Sequence, residues 1–176
     1  MTEYRFEYLI DTSILVEAQK TYPKSMFPQV WDQISWGIRQ GIIHFIPDVI
    51  EELKKGNDEL IEWISSLDGL SKLKTRDNKD VVLRYIEIIR FIDESPAYND
   101  KALRIWSDGS IADPWLIAAA LCYGHTIVTY EKPARVKGTP CGKPKIPDIC
   151  KDFNVCCITI LQLLASIKDC MDKENN

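Results

Sequence analysis

Four acidic residues lie beside apolar runs that are typical of buried strands. Asp11 directly follows the run YLI, and Glu131 directly follows TIVTY. Asp113 opens the run ADPWLIAAAL, and Glu52 lies shortly after IIHFIP. Carboxylates that crowd together raise one another's pKa, and a divalent cation relieves their repulsion. Oxygen-only ligands favour Mg²⁺ or Mn²⁺ over zinc, and such ions can activate a water and stabilise the leaving oxygen of a phosphodiester.

The segments that must position these acids alternate between strands and helices. Apolar runs rich in β-branched and aromatic residues predict strands at 4–10, 42–46, 126–130 and 155–160. Helical periodicity predicts helices at 13–20, 26–40, 47–56, 58–67, 78–93, 100–106, 112–124 and 159–171. We therefore expect a single domain over 1–176: a three-layer α/β/α fold with a central parallel sheet of about four to five strands.

Each acid taken alone also has a plainer explanation. Asp113 precedes Pro114 and would be a good N-cap residue, and Asp11 would cap the helix that follows it. Glu52 is typical of a solvated helix residue and Glu131 of a loop acid. Ligands of such folds bind outside the carboxyl ends of the strands, however. Because the predicted topology puts all four acids at that edge, we favour a shared site.

Composition and charge narrow the class of protein. The chain has 176 residues, of which 45% are apolar and 27% charged, with a net charge of −4. That charge disfavours a protein that coats nucleic acid without specificity. No apolar run approaches the ~20 residues that span a bilayer, and the first residues lack a signal-peptide pattern, so we expect a cytoplasmic protein without a membrane contact.

Histidines and cysteines give no recognisable site in the sequence. There are two histidines and six cysteines, and no two cysteines form a C-x-x-C pair. A zinc site is expected to have closer ligand spacing. Neither His44 nor His125 stands near a candidate nucleophile in the sequence, so we do not expect a histidine-based hydrolase.

Three blocks, LIDTSIL, PDVIEELKKG and ADPWLIAAAL…TIVTYE, occur in this order along the chain. Together they resemble the PIN-domain superfamily of metal-dependent ribonucleases, which includes the VapC-type toxins of toxin–antitoxin pairs. The stretch TIVTYEKP…KIPDIC is closer still to a PIN-like family catalogued mainly as proteins of unknown function. The resemblance covers roughly 5–165 and implies a PIN-like form of the three-layer fold.

The resemblance also assigns roles to residues. It implies that the metal ligands, for Mg²⁺ or Mn²⁺, are Asp11, Glu52, Asp113 and Glu131. Two hydroxyl residues, Ser13 and Thr129, match positions that orient a carboxylate or a water. Many members of the superfamily carry Asp or Asn at the position of Glu131, so the alternative fourth ligands are Asp148 in KIPDIC and Asp108 in WSDGS.

A basic segment lies between Glu131 and Asp148, and it contains no acid. Its cations are Lys132, Arg135, Lys137, Lys143 and Lys145. Glycines and prolines interrupt the segment, which is also typical of a solvated surface loop. Since the chain as a whole is acidic, we favour a basic flap that contacts phosphates beside the acidic centre.

We therefore expect a metal-dependent endoribonuclease that hydrolyses RNA phosphodiester bonds, as the toxin of a toxin–antitoxin pair. The resemblance implies RNA as substrate, an antitoxin protein as partner, and a homodimer. One alternative is a catalytically inactive PIN-like binding module. Another is a haloacid-dehalogenase-type phosphatase, but that chemistry uses a second Asp where this chain has Ser13.

Overall fold

A computed structural model describes residues 6–56 and 58–174 of the chain. Its five strands are β1 (Tyr8–Ile10), β2 (Ile43–Phe45), β3 (Ser71–Lys72), β4 (Thr126–Val128) and β5 (Cys157–Ile158). The helices in the described ranges are α1 (Thr12–Thr21), α2 (Pro28–Arg39), α3 (Pro47–Lys54), α4 (Asp58–Ser65), α5 (Lys79–Glu94), α6 (Asp100–Trp106), α7 (Asp113–Tyr123), α8 (Ile146–Asp152) and α9 (Ile160–Glu174). The predicted three-layer α/β/α fold is confirmed.

All five strands form one parallel sheet in the order β3-β2-β1-β4-β5. The first strand lies at the centre, with Leu9 beside His44 on one side and beside Ile127 on the other. Each central strand is only three residues long and fully or largely buried, which explains the short apolar runs in the sequence. Because the strands are parallel, they all end at one edge of the sheet, which we call the carboxyl edge. They begin at the opposite edge, which we call the amino edge.

Helices cover both faces of the sheet. On one face, α2 and α9 approach closely: a Cβ atom on Gly37 would lie 2.9 Å from Ile43 Cδ1 and 3.2 Å from Ile167 Cδ1. On the other face, the ring of Tyr123 at the end of α7 stacks near His125, and α5 packs along α7. The apolar side chains between these layers form a single buried core.

The turn from α7 into β4 depends on Gly124. This residue takes a left-handed conformation with φ 74°, which glycine adopts without steric cost. The N–H groups of Gly124 and His125 both donate to Ala120 O, and β4 begins at the next residue. These hydrogen bonds fix α7 relative to β4, so the start of the helix and the end of the strand have a fixed relative position.

The predicted elements differ from the observed ones in a few places. The strands are shorter than predicted, and positions 4 and 5 of the first one lie outside the described residues. Two elements were not predicted, namely β3 and α8. No helix in the described ranges has both the length and the apolar character needed to cross a membrane.

Candidate metal centre

Asp11 lies at the carboxyl end of β1 and is only 4% exposed. Its Oδ2 atom accepts hydrogen bonds from Ser13 Oγ and from Thr129 Oγ1, the latter at 2.8 Å. Burial raises the pKa of the Asp11 carboxyl, the two hydroxyl donors lower it, and the charge of Glu131 raises it further. The hydroxyl groups thus fix the orientation of a carboxylate that has little contact with water.

Glu52 extends from α3 toward the starts of two other helices. Thr12 Oγ1, at the start of α1, donates to Glu52 Oε2 at 2.8 Å. The backbone N–H of Ala112, just before α7, donates to Glu52 Oε1 at 3.2 Å. The two donors are the immediate chain neighbours of Asp11 and Asp113, so Glu52 stands between those two acids.

Asp113 is the first residue of α7, and the charges of the other three acids all act on it. Its pKa is raised to about 8, first by burial and then by the charges of Asp11, Glu131 and Glu52, in that order. Within the described ranges, no hydrogen-bond donor contacts its carboxylate. An acid in such surroundings holds a proton near neutral pH unless a cation replaces it.

Glu131 closes the site from the strand β4 side. It lies two residues beyond Thr129, and its backbone N–H donates to Thr129 Oγ1 at 3.1 Å. Its carboxylate accepts the N–H of Ile146 at 2.9 Å and contacts Lys145 Nζ. The end of β4 is thereby tied to Asp11 through Thr129 and to the start of α8 through Glu131.

Comparison with known families extends over nearly the whole chain. Residues 8–169 match the family model described as "Domain of unknown function (DUF4411)". The chain belongs to the DUF4411 family. The matched range contains all four acids of the centre and both hydroxyl residues that bind Asp11. No curated protein matches the sequence.

The two alternative fourth ligands have other partners in this DUF4411 protein. Asp148 is buried, and its carboxylate accepts three backbone N–H groups, from Ala134 at 2.9 Å, Arg135 at 3.0 Å and Lys145 at 2.8 Å. It anchors the basic segment to α8. Asp108 is exposed and accepts from the N–H and the hydroxyl of Ser110, and it is absent from the charges that raise the Asp113 pKa.

The five cations of the basic segment divide into two groups. Arg135 contacts Asp152 at 2.7 Å and Tyr98 OH at 3.0 Å, and Lys145 contacts Glu131. These two cations already have partners within the chain. The other three are exposed and form no ion pair with a described residue, and they are Lys132, Lys137 and Lys143.

Sequence reasoning missed one residue of this centre, Thr12. Its position directly after Asp11 fits an N-terminal cap, and that simpler role hides its contact with Glu52, a residue 40 positions away. The D-T-S triplet was the available signal: both of its hydroxyl residues bind acids of the DUF4411 centre, Thr12 binding Glu52 and Ser13 binding Asp11.

Proposed function

We propose that this DUF4411 protein is a Mg²⁺- or Mn²⁺-dependent endoribonuclease of the PIN type. The observation that carries the proposal is the hydrogen-bond network that links the acids. Thr129 contacts both Asp11 and the N–H of Glu131, and Glu52 accepts from Thr12 and Ala112, the chain neighbours of Asp11 and Asp113. Burial, and then the charges of Asp11, Glu131 and Glu52, raise the pKa of Asp113 to about 8. The ends of β1 and β4 and the helices α3 and α7 thus direct negative groups toward one region, where no three of the four acids have carboxylate oxygens all within 4.8 Å of one another. Such an arrangement is costly for a folded protein unless a cation neutralises it.

The donor set fits a hard divalent cation. All four side chains offer carboxylate oxygens, and no nitrogen or sulfur ligand is among them. Mg²⁺ and Mn²⁺ prefer this chemistry. Asp113, which receives no hydrogen bond from a described residue, has both of its oxygens available to such an ion. Asp11 keeps its Oδ1 atom free of the two hydroxyl donors, since both bind Oδ2.

A divalent cation bound here would supply Lewis-acid activation of water and charge stabilisation at a phosphodiester. The protein's own residues would set the orientation. Ser13 and Thr129 hold Asp11, and Thr12 holds Glu52. Burial of Asp11 keeps bulk water from competing with its interactions, which strengthens them.

We also propose a substrate and partners for this protein. RNA would approach over the basic segment, where Lys132, Lys137 and Lys143 are exposed, and phosphate contacts of this kind position a nucleic acid. We propose an antitoxin as inhibitory partner, a homodimer, and a cytoplasmic location. An apolar groove beside Glu131, lined in part by Ile14 and Tyr22, is a surface that such a partner could cover.

The test compares metal binding and RNA cleavage in matched variants. Wild-type protein should bind Mn²⁺ in calorimetry and cleave a mixed RNA pool when Mn²⁺ is added, whereas Asp11→Asn and Glu52→Gln should do neither. Glu51→Gln is the control, since Glu51 is exposed and pairs with Lys54 at 2.6 Å. Equal cleavage by all four proteins would point to a contaminant. Mn²⁺ binding without cleavage would favour the inactive binding module.

A further inference from the structure

A second cluster of ligating side chains lies at the amino edge of the sheet. It consists of Glu7, His44 and His125, whose donor atoms all lie within 4.8 Å of one another. Glu7 Oε2 is 2.8 Å from His44 Nε2 and 3.3 Å from His125 Nε2. The two imidazole rings are stacked, with centroids 5.0 Å apart and planes inclined by 13°.

The strand register explains why these three side chains meet. His44 lies beside Leu9, and Leu9 lies beside Ile127, so these residues point to the same face of the parallel sheet. Glu7 and His125 lie two positions before Leu9 and Ile127, directly ahead of β1 and β4, and they point to that face as well. The cluster therefore joins β1, β2 and β4, the three central strands, near the points where two of them begin.

The two histidines of the cluster are largely buried, whereas Glu7 is partly exposed to solvent. The side chains of His44 and His125 are 9% and 11% exposed, while that of Glu7 is 36% exposed. Tyr123 covers His125, with ring centroids 5.9 Å apart.

One nitrogen of the cluster is left without a partner. His44 Nδ1 is buried and forms no hydrogen bond with a described residue. Buried polar atoms of this kind are uncommon. Among the described residues, this largely buried ring is thus bound only through Nε2, the atom that faces Glu7.

We propose that Glu7, His44 and His125 form a binding site for a divalent transition-metal ion of the zinc class. Two imidazoles and one carboxylate are a known three-ligand set for zinc, with the fourth position left to water. Bonds of about 2.0–2.1 Å in tetrahedral geometry put ligand atoms about 3.3 Å apart. The observed 2.8 and 3.3 Å from Glu7 Oε2 to the two Nε2 atoms lie close to that spacing, and all three donor atoms lie within 4.8 Å of one another.

This site differs from the acidic centre in place and in chemistry. The acidic centre lies at the carboxyl edge and offers oxygen ligands, whereas the histidine cluster lies at the amino edge and offers mainly nitrogen. Mg²⁺ favours the first and zinc the second. A metal that joins β1, β2 and β4 would stabilise the central sheet, because it binds the folded chain in preference to the unfolded one.

The experiment titrates metal-depleted protein with Zn²⁺ in excess Mg²⁺, so that the acidic centre is already occupied. Wild type and Asp11→Asn should each bind one Zn²⁺ at this site, with a rise in Tm. Glu7→Gln and His125→Gln should weaken binding at least tenfold. Binding that is absent, or equal in all four proteins, overturns the proposal.

The Co²⁺ spectrum of the wild-type protein provides a second readout that needs no variant to fold. Nitrogen and oxygen ligands give d–d bands without sulfur charge-transfer absorption, as the proposal requires. Strong thiolate absorption would instead assign the ion to cysteines such as Cys150 and Cys157, and would overturn it. The result does not depend on nuclease activity, so the two proposals can fail separately.

Discussion

Lys145 Nζ contacts the Glu131 carboxylate directly, so the acidic centre contains a cation supplied by the chain itself. Glu131 raises the pKa of Lys145, and Lys145 in turn lowers the pKa of Asp113 against the four influences that raise it. The Lys145 side chain is 46% exposed, so its ammonium group can leave Glu131 for the solvent. A divalent cation bound at the proposed centre would therefore compete with Lys145 for the same carboxylate.

Replacing Lys145 by Gln should tighten Mn²⁺ binding by several-fold. The substitution removes both a competitor for Glu131 and a positive charge that repels the incoming ion. The effect should shrink at high salt, because the group is partly exposed. Calorimetric titration at low and high ionic strength measures it. Weaker binding in the variant would show that Lys145 supports the metal site instead of competing for it.

The metal-free protein should lose stability as the pH rises from about 4 to about 8. The folded-state pKa of Asp113 is about 8, whereas an unfolded Asp titrates near ~3.9. Between these values the folded state holds a proton that the unfolded state has released, so the free energy of unfolding falls with pH. The raised pKa of Asp11 acts in the same direction.

Urea denaturation at pH 5 and pH 8 measures this dependence. Asp113→Asn should flatten it, because an amide keeps the shape without the titration. Saturating Mn²⁺ should also flatten it, since the cation replaces the proton. If the free energy of unfolding falls by the same amount in Asp113→Asn, other groups cause the pH dependence.

The positions of Asp11, Asp113 and Glu131 in the fold follow from the sequence, because each lies near a strand or helix boundary that the apolar runs mark. Asp11 directly follows β1 and Glu131 lies three residues beyond the end of β4, and a parallel sheet brings such ends to one edge. Thr12 was not predictable in its role, since its contact with Glu52 depends on how α1 and α3 pack. The local sequence predicts where a strand or helix ends, but it does not predict which distant side chain contacts the residue at that point.

The elements that were missed lack a local signal. β3 has only two residues, Ser71 and Lys72, and lies at the sheet edge, where no apolar run is needed. α8 begins inside a segment rich in proline and glycine, which is typical of a loop. The cluster of Glu7, His44 and His125 joins residues from three strands, so the short ligand spacing that marks many zinc sites is absent.

The Thr129 hydroxyl should prove necessary for metal binding. Thr129→Val keeps the side-chain volume but leaves Asp11 Oδ2 without its 2.8 Å donor. Loss of a group that orients a ligand typically weakens metal affinity by about tenfold to a hundredfold. Thr129→Ser keeps the hydroxyl and should bind Mn²⁺ nearly as well as wild type. Equal affinities for the Val and Ser variants would contradict an orienting role.

Asp148→Asn tests whether this acid is a metal ligand or an anchor. Its carboxylate accepts three backbone N–H groups, and an amide offers one oxygen for them and presents donors to the rest. We expect a loss of ~1–3 kcal/mol in the free energy of unfolding. The number of Mn²⁺ ions bound should not change. A variant of normal stability that binds less Mn²⁺ would make Asp148 the fourth ligand.

Replacing the cations of the basic segment should distinguish residues that bind RNA from residues that stabilise the fold. Lys132, Lys137 and Lys143 are exposed and form no ion pair with a described residue, whereas Arg135 pairs with Asp152 at 2.7 Å. The triple Lys→Ala variant should weaken RNA binding and reduce the slope of log affinity against log salt by about 0.7 for each phosphate that is no longer neutralised. Arg135→Ala should mainly lower thermal stability and leave the slope close to that of wild type.

Fluorescence anisotropy at several salt concentrations, with Asp11→Asn in every protein to prevent cleavage, gives both slopes. A wild-type slope in the triple variant would mean that RNA approaches the centre by another surface.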